Sequence, residues 1–425
     1  MTLRRAAALA AAAVCLAAAA CGRSTPPAKS SFVLITLDTF RADHLGCSGN
    51  PVVRTPQLDR IARRGAQWSE ATSVIPLTTP AHATILTGLS PRAHGLVKNR
   101  MVLDSSRVTV AETLSHSGYR CAAVVSSRVV LGPEFQLGQG FAEYNVIEPP
   151  QHPASGQGAQ TARAASEIVS QSGPGLFLWV HFFDAHLPYF PPAPYGRLFA
   201  AAADSMASLY AGEISFLDRC VGEIARAVER SPAAASTSML VTADHGEGLG
   251  EHESYYGHDI QLYETSLRIP LLVSGPSISP KLSREPARSM DIAPTILGAL
   301  AVAKTKMEGR DLLHDPPPSG DAATLIAETH PERSKATPLY ALRTGEQKVI
   351  WEPRYGKREY YDLMLDPAER KNLAGEITPL LKVLGEDLEL DLRNRPVGKT
   401  QTLDDLKGGA DEATREALRS LGYVN

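Results

Sequence analysis

Long apolar runs are scarce in this chain of 425 residues. The one that stands out, residues 6–20, is 15 residues long, short of the ~20 that a membrane-spanning helix needs. It follows Arg4 and Arg5 and ends in Ala18-Ala19-Ala20, just ahead of Cys21. A basic start, an apolar middle and small residues before the cut read as an export leader over residues 1–20. Cysteine is scarce too, with five in all. Setting aside Cys15 in the leader and Cys21 at its end leaves Cys47, Cys121 and Cys220, widely spaced and without a C-x-x-C pair. That excludes a disulfide framework and a zinc-thiolate site, while one disulfide plus one free thiol stays open. Charge of one sign is missing as well: 43 Lys and Arg face 46 Asp and Glu, a net charge of −3. A chain that held nucleic acid by bulk charge would carry a basic excess, so no nucleic-acid partner is expected.

What is present is enough apolar material, 43% against 21% charged, to build a sizeable core. Residues 21–30, with paired prolines among small and polar residues, read as a tether. Four apolar runs of strand length, 32–37, 177–180, 239–241 and 269–273, have the nearly continuous pattern of strands buried on both faces. Residues 119–125 read as a further strand. Helical patterns lie between them. Thr55-Pro56 opens one, with Leu58, Ile61 and Ala62 on one face and Gly65 as stop. Thr109 and Glu112 make a capping box, and Ile214, Leu217, Val221, Ile224 and Val228 form an amphipathic stripe. This alternation predicts an α/β fold with a large, mostly parallel central sheet flanked by helices over residues 31–305. Beyond it, short strand-like pieces at 324–327, 339–343, 348–351 and 359–363 predict a small antiparallel sheet plus helix, a C-terminal subdomain over residues 306–395. Residues 396–425 read as a polar tail with a short helix near 413–421.

In parallel sheets, ligands gather at the carboxyl ends of the strands. Asp38, the segment 181–186 and Asp244-His245 all sit where a strand is predicted to end. Carboxylates with imidazole suit a hard-to-borderline divalent cation, which makes Asp38, Asp244 and His245 candidate ligands for one metal ion, Ca, Mn, Zn or Mg. In Thr78-Thr79-Pro80-Ala81-His82 through Gly88, Thr79 is the expected helix cap, Pro80 the first helical residue and Gly88 the stop. Thr78 would then lie just ahead of a helix N-terminus that favours an anion. A metal bound to the Thr78 hydroxyl would activate it as a nucleophile.

Taken together, these pieces resemble the sulfatase family of the alkaline phosphatase superfamily. The resemblance spans about residues 31–373. It is carried by Leu37-Asp38-Thr39 with Arg41-Ala42-Asp43-His44-Leu45-Gly46, by Thr78-Thr79-Pro80-Ala81-His82 with Leu86-Thr87-Gly88, and by Asp244-His245-Gly246-Glu247 with Gly250-Glu251-His252. Tyr263 to Pro270, Asp291-Ile292-Ala293-Pro294-Thr295 and Tyr361-Asp362-Leu363 extend it. It implies that Asp38, Asp244, His245 and Thr78 bind the metal. It further implies that Thr78, His82, His186 and His258 are catalytic, the two later histidines touching the transferred group or assisting the leaving group. The expected activity is hydrolysis of sulfate or phosphate esters in a small-molecule or glycan substrate. The chain departs from the family pattern in several places. Thr78 stands where active sulfatases carry a Cys or Ser that is oxidised to formylglycine; Thr39 replaces a second Asp, and His82 replaces an Arg. Lys98 matches the family's active-site Lys by region alone. A threonine at this position is similar to the superfamily's phosphodiesterases, phosphonate hydrolases and phosphoethanolamine-type transferases, and a non-catalytic binder of sulfated or phosphorylated glycans is a third reading. Ala18-Ala19-Ala20-Cys21-Gly22 resembles a bacterial lipobox, although Leu is commoner at the place of Ala18. It implies an exported protein held in the cell envelope through lipid on Cys21; ordinary cleavage and release is the alternative.

Overall fold

The computed structural model describes residues 29–149, 156–199, 205–252, 255–318, 324–331, 336–376 and 379–397. The leader, Cys21 and the helix expected near 413–421 lie outside these. Eight strands form the main sheet: β1 (Ser31–Leu37), β2 (Ala66–Trp68), β3 (Arg120–Val125), β4 (Glu143–Val146), β5 (Leu176–Phe182), β6 (Thr237–Ala243), β7 (Leu271–Ser274) and β8 (Lys281–Ser283). Their order is β8-β2-β7-β6-β1-β5-β3-β4. All neighbours pair in parallel except β7, which runs antiparallel to both β6 and β2. Every residue of β1 and β5 is buried, as an unbroken apolar run requires of a central strand covered on both faces.

One group of helices, α1 (Pro56–Arg64), α4 (Gln157–Gln171) and α5 (Ser205–Arg230), packs together. A second group is formed by α2 (Thr78–Thr87), α3 (Val110–His116) and α6 (Ile292–Ala299). The expected capping box of α3 is present: the Thr109 hydroxyl accepts from Glu112 N, and Glu112 accepts from Thr109 N. Helix α1 does begin with Pro56, but its cap comes from far away. Asp218 of α5 accepts from the backbone N–H groups of Gln57 and Leu58 at 2.9 and 2.8 Å, placing a carboxylate at the positive end of the helix. Past residue 305, β9 (Leu325–Thr329), β10 (Leu339–Thr344), β11 (Gln347–Glu352) and β12 (Lys357–Asp362) form an antiparallel sheet in sequence order, followed by α7 (Pro379–Asn394). Lys348 of β11 is buried and ties this sheet to the main domain, pairing with Glu264 at 2.9 Å and Glu369 at 2.8 Å. Among the described residues no helix is long and apolar enough to cross a membrane. Cys47, Cys121 and Cys220 are all free thiols.

Two carboxyls clamp the turn after β5. Asp184 accepts from Gly158 N at 3.1 Å and Glu213 from Phe190 N at 2.8 Å. Burial, and then the nearby Asp184, push the Glu213 carboxyl from 4.5 up to about 8. A carboxyl raised in the folded state favours folding while neutral. That contribution is complete below pH 4.5 and is lost as the pH climbs to 8. Glu213→Gln is therefore expected to gain stability relative to the parent between pH 5 and pH 8. Thermal unfolding of both proteins across that range checks this; an unchanged gap would contradict it.

Candidate active site

Register builds the site. Leu37 of β1 lies opposite Ala243 of β6 and Phe182 of β5. The next residue of β1 is Asp38 and the next of β6 is Asp244, so two carboxylates leave neighbouring strand ends side by side. His245 follows. One ligand atom from each of Asp38, Asp244 and His245 lies within 4.8 Å of the others, and all three residues are fully buried.

Each member is oriented by its surroundings. Asp244 Oδ1 accepts from His245 N at 2.8 Å and from Thr39 N at 3.3 Å, which leaves Oδ2 without a partner. His245 Nδ1 donates to the Gly246 carbonyl at 3.0 Å, so Nε2 carries the lone pair and faces Asp244 at 3.3 Å. Both oxygens of Asp38 lack a partner. Burial raises the carboxyls of Asp38 and Asp244 well above the usual range, with the Asp38 charge adding to the rise at Asp244. Burial drives His245 down to about 3, so its ring is neutral at ordinary pH. Two desolvated carboxylates and a bare imidazole lone pair, all turned inward, are what a divalent cation would satisfy. The donor set thus fits a metal ion without choosing among Ca, Mn, Zn and Mg.

Thr39, which replaces the expected second Asp, is turned away from this cluster. It adopts a left-handed φ of 51°. Its hydroxyl donates to the Ala185 carbonyl at 2.6 Å, and its carbonyl accepts from Tyr210 at 2.7 Å.

Thr78 is fully buried, and its hydroxyl has no hydrogen-bond partner. It sits beside Asp38 and pulls that carboxyl down against the larger upward push of burial. The expected helix start needs correction. Helix α2 opens at Thr78 rather than after it, Leu77 holds the cap position, and no side chain caps the helix. Thr79 cannot serve as the cap because its hydroxyl donates to the Val130 carbonyl at 2.7 Å. The first-turn donors are also largely spent: Thr79 N bonds Asn99 Oδ1 at 2.9 Å, Pro80 has none, and Ala81 N bonds the Leu77 carbonyl at 2.9 Å. Gly88 does end the helix, at a φ of 66°. Asn99 went unread in the sequence. It is buried, its amide is fixed by Thr79, and its Nδ2 is a donor without a partner. Lys98, matched by region, is exposed; its neighbour is the residue that reaches inward.

The histidines divide into two groups. His186 Nδ1 donates to the Leu187 carbonyl at 2.6 Å, and His258 Nδ1 to the Pro76 carbonyl at 2.8 Å. Their Nε2 atoms meet at 3.4 Å, and the His258 ring lies over that of His245 with centroids 4.2 Å apart. His82 behaves differently. Its Nδ1 donates to the Thr78 carbonyl at 2.8 Å and its Nε2 faces the Thr36 hydroxyl at 3.0 Å. With both nitrogens engaged by the protein, His82 ties the first turn of α2 to Thr36 of β1.

A family model described as Sulfatase matches residues 30–302. The chain is 24% identical to an ulvan-active sulfatase of Formosa agariphila, over 87% of this chain and 81% of that one. It is 23% identical to an arylsulfatase of Clostridium perfringens, over 89% and 98%. The phosphonate monoester hydrolase of Agrobacterium radiobacter shares the fold with a TM-score of 0.74 at 20% identity, over 88% and 97%.

A cation that binds only the folded site stabilises it by about 2.7 kcal/mol at one hundred times its Kd. Adding Mn, Zn, Ca or Mg to metal-stripped protein is expected to raise its melting temperature for at least one of the four. Asp244→Asn should abolish that rise. A rise of equal size in the variant would remove Asp244 from the ligand set.

Proposed function

The chain belongs to the sulfatase family of the alkaline phosphatase superfamily, and we propose that within it this protein is a metal-dependent ester hydrolase with Thr78 as nucleophile. The observation that carries the reading is the buried Thr78 hydroxyl, set beside Asp38 of the Asp38-Asp244-His245 cluster. A divalent ion held by Asp38, Asp244 and His245 would supply Lewis acidity, lowering the pKa of that hydroxyl and offsetting charge on the ester. Thr78 Oγ1 then attacks the central atom of the ester. The bond to the leaving oxygen breaks, and the leaving alcohol takes up a proton. His186 and His258 are the imidazoles placed to carry protons there, each oriented by a backbone carbonyl. The Asn99 amide, bonded to the backbone of Thr79 next in chain to Thr78, keeps an N–H without a partner and would hold a non-bridging oxygen, a contact of the kind worth about 10²–10³-fold in rate.

Threonine favours phosphorus over sulfur. Water attacking a phosphothreonine breaks the P–O bond to Thr78 and returns the hydroxyl, and in-line displacement of this kind is ordinary at phosphorus. A sulfothreonine would need water attack at sulfur, without the aldehyde hydrate that releases sulfate in formylglycine enzymes. We therefore rank phosphate diesters and phosphonate esters above sulfate esters as substrates. A sulfated or phosphorylated glycan is the next class.

The test is a panel of aryl sulfate, phosphate monoester, phosphate diester and phosphonate ester, offered to metal-loaded protein lacking the leader. Turnover of a phosphorus ester is expected, with kcat falling on the order of 10⁴-fold or more in Thr78→Ala and partly restored in Thr78→Ser. Activity that survives Thr78→Ala would sink the nucleophile. Silence on all four would shift weight to transfer onto an acceptor or to glycan binding.

We also propose that the protein is exported and lipid-anchored in the cell envelope through Cys21, on the strength of Arg4, Arg5, the apolar run and Ala18-Ala19-Ala20-Cys21. Incorporation of labelled fatty acid and recovery in the membrane fraction are expected for the full chain. Both should be lost in Cys21→Ala; a soluble, unlabelled parent would contradict the anchor.

A further inference from the structure

His181, fully buried on β5, lies in register with Thr36 of β1, so both side chains share a face of the sheet. One oxygen, Thr36 Oγ1, is approached at 3.0 Å by three ring nitrogens: Trp179 Nε1, His82 Nε2 and His181 Nδ1. A hydroxyl offers one hydrogen and two lone pairs, which decides who donates. The Trp179 N–H can only donate. His82 Nδ1 faces the Thr78 carbonyl at 2.8 Å and so carries that ring's N–H, and a ring with no solvent exposure holds a single proton. His82 Nε2 therefore accepts, and it takes the Thr36 hydrogen. The other carbonyl in range, that of Val180, is longer at 3.5 Å. With its hydrogen used, Thr36 can only accept from His181, so His181 Nδ1 carries the N–H and His181 Nε2 is a bare lone pair. That Nε2 has no partner among the described residues and stands 3.5 Å from Asp38 Oδ2. A lone pair held against an ionised carboxylate oxygen is repulsive, and a cation between them would draw both.

We propose that His181 Nε2 is a further ligand of the metal held by Asp38, Asp244 and His245, approaching from the Asp38 side. The proposal rests on the metal site of the preceding section. Thr36 fixes the tautomer of this ligand as the Gly246 carbonyl fixes that of His245, leaving each ring a protected Nδ1–H behind a metal-facing Nε2.

Those two protons are the readout. In the cobalt(II)-loaded protein, an imidazole bound through Nε2 shows its Nδ1–H as a strongly shifted, exchangeable proton resonance. Two such resonances are expected in the parent protein and one in His181→Gln, whose cobalt affinity should also fall about 10–100-fold. A single shifted N–H in the fully loaded parent would overturn the assignment, and that spectrum needs no variant to fold. Failure to take up cobalt at all would defeat the metal site and this inference together. Cobalt bound with one resonance would defeat His181 alone.

Discussion

Two carboxylates withdrawn from water side by side are the constraint around which the rest of this site is arranged. Asp38 and Asp244 meet because β1 and β6 run parallel in register and both end one residue earlier. Left alone, such a pair cannot stay ionised: desolvation and mutual repulsion act in the same direction. The protein supplies two backbone N–H groups to Asp244 and none to Asp38. Among the described residues no Lys or Arg neutralises the pair, and the nearby imidazoles are kept neutral by burial. The charge is thus left for something that enters the site. Thr39 shows what this arrangement costs locally. A β-branched residue in the left-handed region is strained by ~1–3 kcal/mol, and bonds to Asp244, Ala185 and Tyr210 hold it there.

The same economy governs the surroundings of Thr78. Helix α2 does not offer a row of open N–H groups to an anion, since a side chain, a proline and a backbone carbonyl account for its first turn. What remains is chemically selective: one hydroxyl, one amide nitrogen and the carboxylate-imidazole cluster. This set suits a hydroxyl nucleophile that must be deprotonated and later regenerated. It provides none of the carbonyl chemistry on which a formylglycine sulfatase depends, although the fold and the family are those of sulfatases.

Much of this was legible in the chain. Unbroken apolar runs marked the central strands, and polar residues just past them marked the site, because a buried strand can change character only where it leaves the sheet. Gly88 was readable for the same local reason, a left-handed helix end that favours glycine. What escaped notice was set by partners distant in sequence. Thr79 looked like a cap until its N–H was claimed by Asn99 and its hydroxyl by Val130. Asn99 carried no signal of its own. Thr36 read as strand interior, since a polar residue inside an apolar run carries no period of its own, and His181 read as the first residue past a strand end. Their meaning comes from register between β1 and β5, which no single strand encodes.

Thr36 also bears on how this chain can change over evolutionary time. Its one oxygen serves Trp179 and His181 from β5 and His82 from α2, with every lone pair and hydrogen assigned. Replacing Thr36 leaves three buried ring nitrogens without that partner, and replacing any one of the three leaves a lone pair or the hydrogen of Thr36 unmatched, so no single replacement is a neutral step. Positions 36, 82, 179 and 181 should therefore be inherited as a block, and lineages that depart from it should have exchanged several members together.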